Sequence, residues 1–174
     1  MNRINYQRKM EDIIRENSEK GKVPSLLIHS CCAPCSSYCL EVLSSYFNIT
    51  VFYYNPNIYP PEEYAVRAKE QERFIKTFPA KYPITFVEGS YETERFYEMA
   101  KGFEHVKEGH ERCYKCYELR LRETCEYGKR NGFDYFATTL SISPMKTFGK
   151  TIVYPDFHTA HRQGKPCRNT ETVE

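Results

Sequence analysis

Eight cysteines are spread unevenly along this chain, and their grouping is its most chemical feature. Cys31 and Cys32 are adjacent and follow the run Leu26-Leu27-Ile28-His29-Ser30 directly. Cys113 and Cys116 make a Cys-x-x-Cys pair at the expected opening of a helix, behind the polar loop 108–112. A thiol at a helix mouth faces the first, unpaired N–H groups of that helix, which lower its pKa and favour thiolate chemistry or metal binding. Four such thiolates are the ligand set of a [4Fe–4S] cluster or of a tetrahedral zinc. Structural zinc usually takes two Cys-x-x-Cys knuckles. An adjacent pair is a poor knuckle but can span two irons, so a cluster or paired-metal site ranks above structural zinc. Inert burial explains single cysteines better than four placed at two helix starts.

Cys32-Ala-Pro-Cys35 is a second Cys-x-x-Cys and offers the rival chemistry of a thioredoxin-type dithiol, which leaves Cys31, Cys113 and Cys116 unexplained. Cys39 and Cys125 fall inside helical patterns and suit a core; Cys167 stands alone in a polar tail. Asn55-Pro-Asn57-Ile-Tyr59-Pro carries two amides that can read a polar ligand or simply make a tight turn. The hydroxyls of Thr138, Thr139, Ser141 and Ser143 suit a phosphate or sugar contact, or a cap. His29 suits packing in a strand, with a proton-donor role open to it. Arg67 and Arg73 suit a solvated helix face better than a phosphate site. No Gly-x-Gly-x-x-Gly or Walker-type loop occurs.

These residues must be positioned by regular elements. At 174 residues, 40% hydrophobic and 28% charged, the chain has the size and composition of one globular domain. Its formal charge of +2 neither requires nor excludes a nucleic-acid partner, and fifteen tyrosines with no tryptophan mostly suit core edges. The first 22 residues have no apolar leader segment, and no stretch approaches the roughly 20 apolar residues of a membrane span. A cytoplasmic protein without a membrane partner is expected, in which disulfides are rare and grouped cysteines are functional. Periodicity predicts helices over 4–18, 36–46, 62–78, 93–99 and 112–130, and strands over 25–29, 49–54, 84–88 and 133–140. This alternation implies an α/β fold with a mostly parallel sheet flanked by helices. Ligands of such sheets bind beyond the C-terminal strand ends, where segments 30–35, 55–61 and 141–146 would converge.

Read together, Leu-Leu-Ile-His-Ser-Cys-Cys-Ala-Pro-Cys-Ser, Phe-Tyr-Tyr-Asn-Pro-Asn-Ile-Tyr-Pro, Glu-Arg-Cys-Tyr-Lys-Cys-Tyr-Glu-Leu-Arg-Leu and Phe-Asp-Tyr-Phe-Ala-Thr-Thr-Leu-Ser-Ile-Ser-Pro resemble the cobalamin-independent epoxyqueuosine reductase family over residues 5–146. The resemblance implies a Rossmann-like fold of the adenine-nucleotide α-hydrolase type and the last step of queuosine biosynthesis. That step reduces epoxyqueuosine to queuosine at the wobble position of tRNA, with electrons from an unidentified donor. It implies that Cys31, Cys32, Cys113 and Cys116 hold a [4Fe–4S] cluster, with room for a second, mononuclear metal. Asn55, Asn57, Tyr59, Ser141 and Ser143 are then expected to line the substrate rim. A zinc-binding RNA-interaction module and a Cys-x-x-Cys dithiol oxidoreductase are the alternatives. Past residue 146 the likeness stops. Residues 1–146 are expected to form a single catalytic-type α/β domain. Residues 147–174 are expected to be a divergent, poorly structured tail, without the family's C-terminal Cys-x-Cys pair and with activity impaired accordingly.

Overall fold

A computed structural model describes residues 6–142 and 154–155. Its centre is β1 (Ser25–His29), the apolar run that delivers the first cysteines. Around it the chain forms α1 (Tyr6–Glu19), α2 (Ala33–Leu43), β2 (Asn48–Tyr53), α3 (Pro61–Thr77), β3 (Thr85–Glu88), α4 (Thr93–Ala100), α5 (Glu111–Arg130) and β4 (Tyr135–Thr138). A 3-10 turn (Thr139–Ile142) and a two-residue strand, β5 (Tyr154–Pro155), follow.

The strands lie in the order β3-β2-β1-β4-β5, the first four parallel and β5 antiparallel to β4. β1 has parallel neighbours on both sides and helices over both faces, which is why it is continuously apolar rather than alternating. Leu26 and Ile28 pack with Leu40, Leu43, Val51 and Ile75, whereas Leu27 packs on the other face with Phe52 and Tyr54. Asp134 pins the N-terminal end of β1, accepting hydrogen bonds from Ser25 N at 2.8 Å and Ser25 Oγ at 2.7 Å. The chain runs outward from β1 through β2 to β3, then returns over α4 and α5 to lay β4 on the other side of β1. The direction of winding therefore reverses at β1, and the crevice beyond the C-terminal ends of β1 and β4 is where this topology places a ligand.

The expected elements form with shifted ends. β1 occupies its predicted residues, and β4 is shorter because Thr139 and Leu140 turn into the 3-10 segment. The largest shift is in α2, expected over 36–46 and found over Ala33–Leu43. Pro34 falls in its first turn, where no N–H is needed and the fixed φ suits a helix. Cys35 thereby becomes a first-turn residue instead of part of a preceding loop. No helix among the described residues is long and apolar enough to cross a membrane.

Candidate functional site

β1 ends at His29, and the backbone enters α2 at once through Ser30, Cys31 and Cys32. Cys32 is the N-terminal cap residue, with extended backbone (φ −171, ψ 158). This tight entry gathers three thiols: the Sγ atoms of Cys31, Cys32 and Cys35 all lie within 4.8 Å of one another. Cys31 and Cys32 are 3.8 Å apart, and Cys31 Sγ stands 4.0 Å from Thr139 Oγ1 at the end of β4. The Cys32 thiol is held below its ordinary pKa, first by the Cys31 thiol and also by the Cys35 backbone N–H, against the opposing effect of burial.

The loop is braced from three directions. Ser30 Oγ donates to Gln71 Oε1 of α3 at 2.9 Å, Gln71 Nε2 donates to Ser36 Oγ at 2.9 Å, and Ser36 Oγ donates to Ala33 O. One buried amide thus ties the residues on both sides of the thiols. From the β2 side, Ser30 N donates to Phe52 O and Asn55 Nδ2 donates to Ser30 O at 2.9 Å. Asn55 Oδ1 in turn accepts from Arg120 Nη1 of α5 at 3.2 Å, and Arg120 Nε donates to Cys116 O. Arg120 is only 4% exposed, and among the described residues no carboxylate lies within ion-pair distance of it. His29 is fully buried between strands. Its Nε2 lies 3.0 Å from Tyr54 O, a contact that puts the proton on Nε2, and its Nδ1 faces Thr138 Oγ1 at 3.3 Å.

The residues singled out from sequence take different places. Cys31 and Cys32 belong to the three-thiol group, and Cys35 joins them; Cys113 and Cys116 are not members of it. Cys113 opens α5 and accepts a hydrogen bond from Gly109 N at 3.2 Å, where Gly109 has φ 90. Cys116, one turn on, is buried and linked through Arg120 and Asn55 to the peptide just before Cys31. Asn55 is buried with both ends of its amide engaged inside the protein. Asn57 is half-buried, and its Oδ1 is shut from solvent with no hydrogen-bond partner. Tyr59 is 72% exposed. Ser141 falls in the 3-10 turn, its side chain beyond what the structure describes, and Ser143 lies outside the described residues. Arg67 and Arg73 pair with Glu63 and Glu70 on the surface of α3.

Gln71 and Arg120 were not singled out from sequence. Each interrupts a buried stripe at helical spacing, Gln71 with Tyr64, Ala68 and Ile75, and Arg120 with Cys116 and Thr124. A polar residue in such a stripe signals a buried partner. As a donor set, the thiol loop suits a soft metal. Two thiolates on one tetrahedral ion at the usual zinc–sulfur length of about 2.3 Å stand about 3.8 Å apart, which is the Cys31–Cys32 separation of 3.8 Å. Cys31, Cys32 and Cys35 can therefore offer three corners to a metal ion.

A family model described as epoxyqueuosine reductase QueH matches residues 26–157. Among curated proteins, the chain is 40% identical over 148 residues to the epoxyqueuosine reductase QueH of Staphylococcus epidermidis, covering 83% of this chain and 62% of the relative. It is 40% identical over 146 residues to that of Streptococcus pyogenes, covering 83% and 57%. With that of Haemophilus influenzae it shares 40% identity over 133 residues, covering 74% and 53%. The chain spans less than two thirds of the length of these relatives. Matched over most of its own length, with the thiol loop inside the match, it belongs to the epoxyqueuosine reductase QueH family.

Proposed function

We propose that this chain reduces epoxyqueuosine to queuosine in tRNA at a metal site built on its thiol loop. The observation that carries this reading is the group of three thiols at the point where the sheet reverses its winding, in a chain of this family. Removing an epoxide oxygen consumes two electrons and two protons and yields an alkene and water. An iron–sulfur cluster, when bound, supplies such electrons singly at low potential. Cys31, Cys32, Cys113 and Cys116 are its ligands in this reading, and Cys35 is left to a second, mononuclear metal beside Cys31 and Cys32. The chain's own part is positional. Gln71, Asn55 and Arg120 fix the loop and the start of α5, while Asn57 and Tyr59, with Ser141 and Ser143, meet the modified base and its neighbours. Exposed arginines meet the tRNA backbone. The two electrons come from a separate donor.

Anaerobic reconstitution with iron and sulfide tests the metal. The expected product is brown, with visible charge-transfer absorbance and chemically measurable sulfide, and a strong chemical reductant then converts epoxyqueuosine in tRNA to queuosine. A colourless protein holding no iron refutes the cluster, and stoichiometric zinc without sulfide makes the chain a zinc-binding module. The closeness of Cys32 and Cys35 favours one second reading, a reversible dithiol. Cys35→Ser then abolishes activity, whereas the cluster reading expects it to be milder than Cys113→Ser.

A further inference from the structure

Two buried side-chain atoms among the described residues have no hydrogen-bond partner, Tyr53 Oη and Asn57 Oδ1. They come from one short stretch, the last residue of β2 and the loop that follows. Buried polar atoms without partners are costly, on the order of 1–3 kcal/mol each, and mark places that a ligand or water completes. Tyr53 is fully buried, and its ring is fixed against Tyr64 at 5.4 Å and Phe86 at 6.2 Å between centroids. Its backbone carbonyl accepts from Gly89 N at 2.9 Å, so neither ring nor strand is free to swing the hydroxyl toward a protein acceptor.

The position of this hydroxyl is informative. Phe52 pairs with His29 across β1 and β2, so Tyr53 flanks Ser30, the residue before the thiol pair. It lies on the α3 face, with Tyr64 and Ala68, one turn from the Gln71 that braces the same loop. Burial pushes its pKa well above the ordinary tyrosine value; the Arg67 guanidinium opposes this, and the Cys31 and Cys32 thiols add to it. A tyrosine is protonated at physiological pH even at its ordinary pKa of about 10, so this hydroxyl serves as a donor.

We infer that Tyr53 Oη donates a hydrogen bond to the oxygen of a ligand held against Cys31 and Cys32, and that Asn57 Oδ1 accepts from a donor group beside it. The inference rests on the proposed function and names its recognition device. An epoxide oxygen can only accept, and a fixed neutral O–H is the matching partner. A hydroxyl of the same ligand is a donor of the kind that Asn57 Oδ1 lacks. The deoxygenated product leaves Tyr53 unpaired again, which gives the site a means of preferring substrate over product.

The test uses the full chain reconstituted with iron and sulfide, kept without reductant so that no turnover occurs. Two anticodon stem-loop RNAs serve as probes, one carrying epoxyqueuosine and one carrying queuosine, and their Kd values are compared for wild type and Tyr53→Phe. Wild type is expected to prefer the epoxide RNA. Tyr53→Phe is expected to lose about tenfold in affinity for it, the worth of one buried hydrogen bond, and to bind the queuosine RNA unchanged. Its thermal stability is expected to be unchanged or raised, because the deleted hydroxyl has no protein partner to lose. Wild type that binds neither RNA overturns the functional reading and this inference with it. Wild type that discriminates while Tyr53→Phe discriminates equally overturns the role of Tyr53 alone, leaving a structural water as its partner. A Tyr53→Phe chain that fails to fold shows that the hydroxyl has a structural role and overturns it too.

Discussion

Replacing Gln71 with leucine tests whether the thiol loop is held by its flanking serines. The two side chains are close in volume, so little cavity is made, and what is lost is polar. Gln71 is fully buried and makes two side-chain hydrogen bonds, both 2.9 Å, to Ser30 Oγ and Ser36 Oγ. Buried bonds of this kind are worth about 1 kcal/mol each, with a further penalty of about 1–3 kcal/mol for any group left unpaired. Both serines keep a fallback, since Ser36 Oγ still donates to Ala33 O at 2.9 Å and Ser30 Oγ can turn to Cys32 O at 3.3 Å. The extra penalty is therefore small, and Gln71→Leu should cost about 2 kcal/mol in urea unfolding. Ser36→Ala should cost about 1 kcal/mol, and the double variant should cost about 1 kcal/mol less than the sum, because both changes remove the same bond. Cobalt(II) affinity, read from thiolate charge-transfer absorbance, should fall in Gln71→Leu because Ser30 and Ser36 bracket the thiols. A Gln71→Leu chain within about 0.5 kcal/mol of wild type, with unchanged cobalt affinity, would refute the bracing role.

Three further outcomes follow from the same geometry. A Cβ on Gly89 would stand 3.0 Å from Phe52 Cζ and 3.1 Å from Tyr54 Cβ, and the Phe52 ring is stacked on Tyr127 at 4.5 Å. Gly89→Ala should thus cost about 1–3 kcal/mol in denaturant unfolding, and a neutral result would mean that β2 and β3 yield more readily than this packing implies. Arg120→Lys keeps the buried charge but cannot bridge Asn55 Oδ1 and Cys116 O together; it should cost about 1–2 kcal/mol in the same assay, with no loss arguing against the bridge. Burial pushes Tyr54 up to about 12, and Tyr53 and Tyr64 higher still. Since these folded-state values exceed the unfolded value of about 10, their stabilising contribution is complete below about pH 10 and is lost as pH rises through the folded values. Absorbance at 295 nm should show these tyrosines ionising only with unfolding, whereas titration of every tyrosine near pH 10 in a folded chain would contradict their burial.

Much of the architecture was legible because it is local. Three apolar residues between Pro24 and a polar turn can hardly be other than an inner strand, and β1 occupies Ser25–His29 as periodicity predicts. α2 starts three residues before the predicted 36, because Pro34 falls in the first turn, where a proline is compatible with a helix. The displacement has a chemical consequence. Sequence spacing made Cys35 half of a rival dithiol, and the early helix start brings its thiol within 4.8 Å of Cys31 and Cys32. The same three atoms thus suit either a metal or a disulfide, and spacing alone could not have separated the two.

The braces around the loop were not legible, for a different physical reason. Ser30 meets Gln71 across 41 residues, and Asn55 meets Arg120 across 65. No local propensity encodes such pairs; they exist because α3 and α5 pack on opposite sides of one strand end. The amide pair of the Asn55-Pro-Asn57 turn illustrates the difference. Asn55 spends both ends of its amide on the protein, while Asn57, two residues on, buries an oxygen that meets nothing. The turn therefore divides its labour: its first amide fixes the backbone that presents the thiols, and its second, with the Tyr53 hydroxyl, is left for whatever the thiols receive. A change at Asn55 should therefore disturb thiol geometry and metal affinity together, and a change at Asn57 should disturb ligand affinity alone.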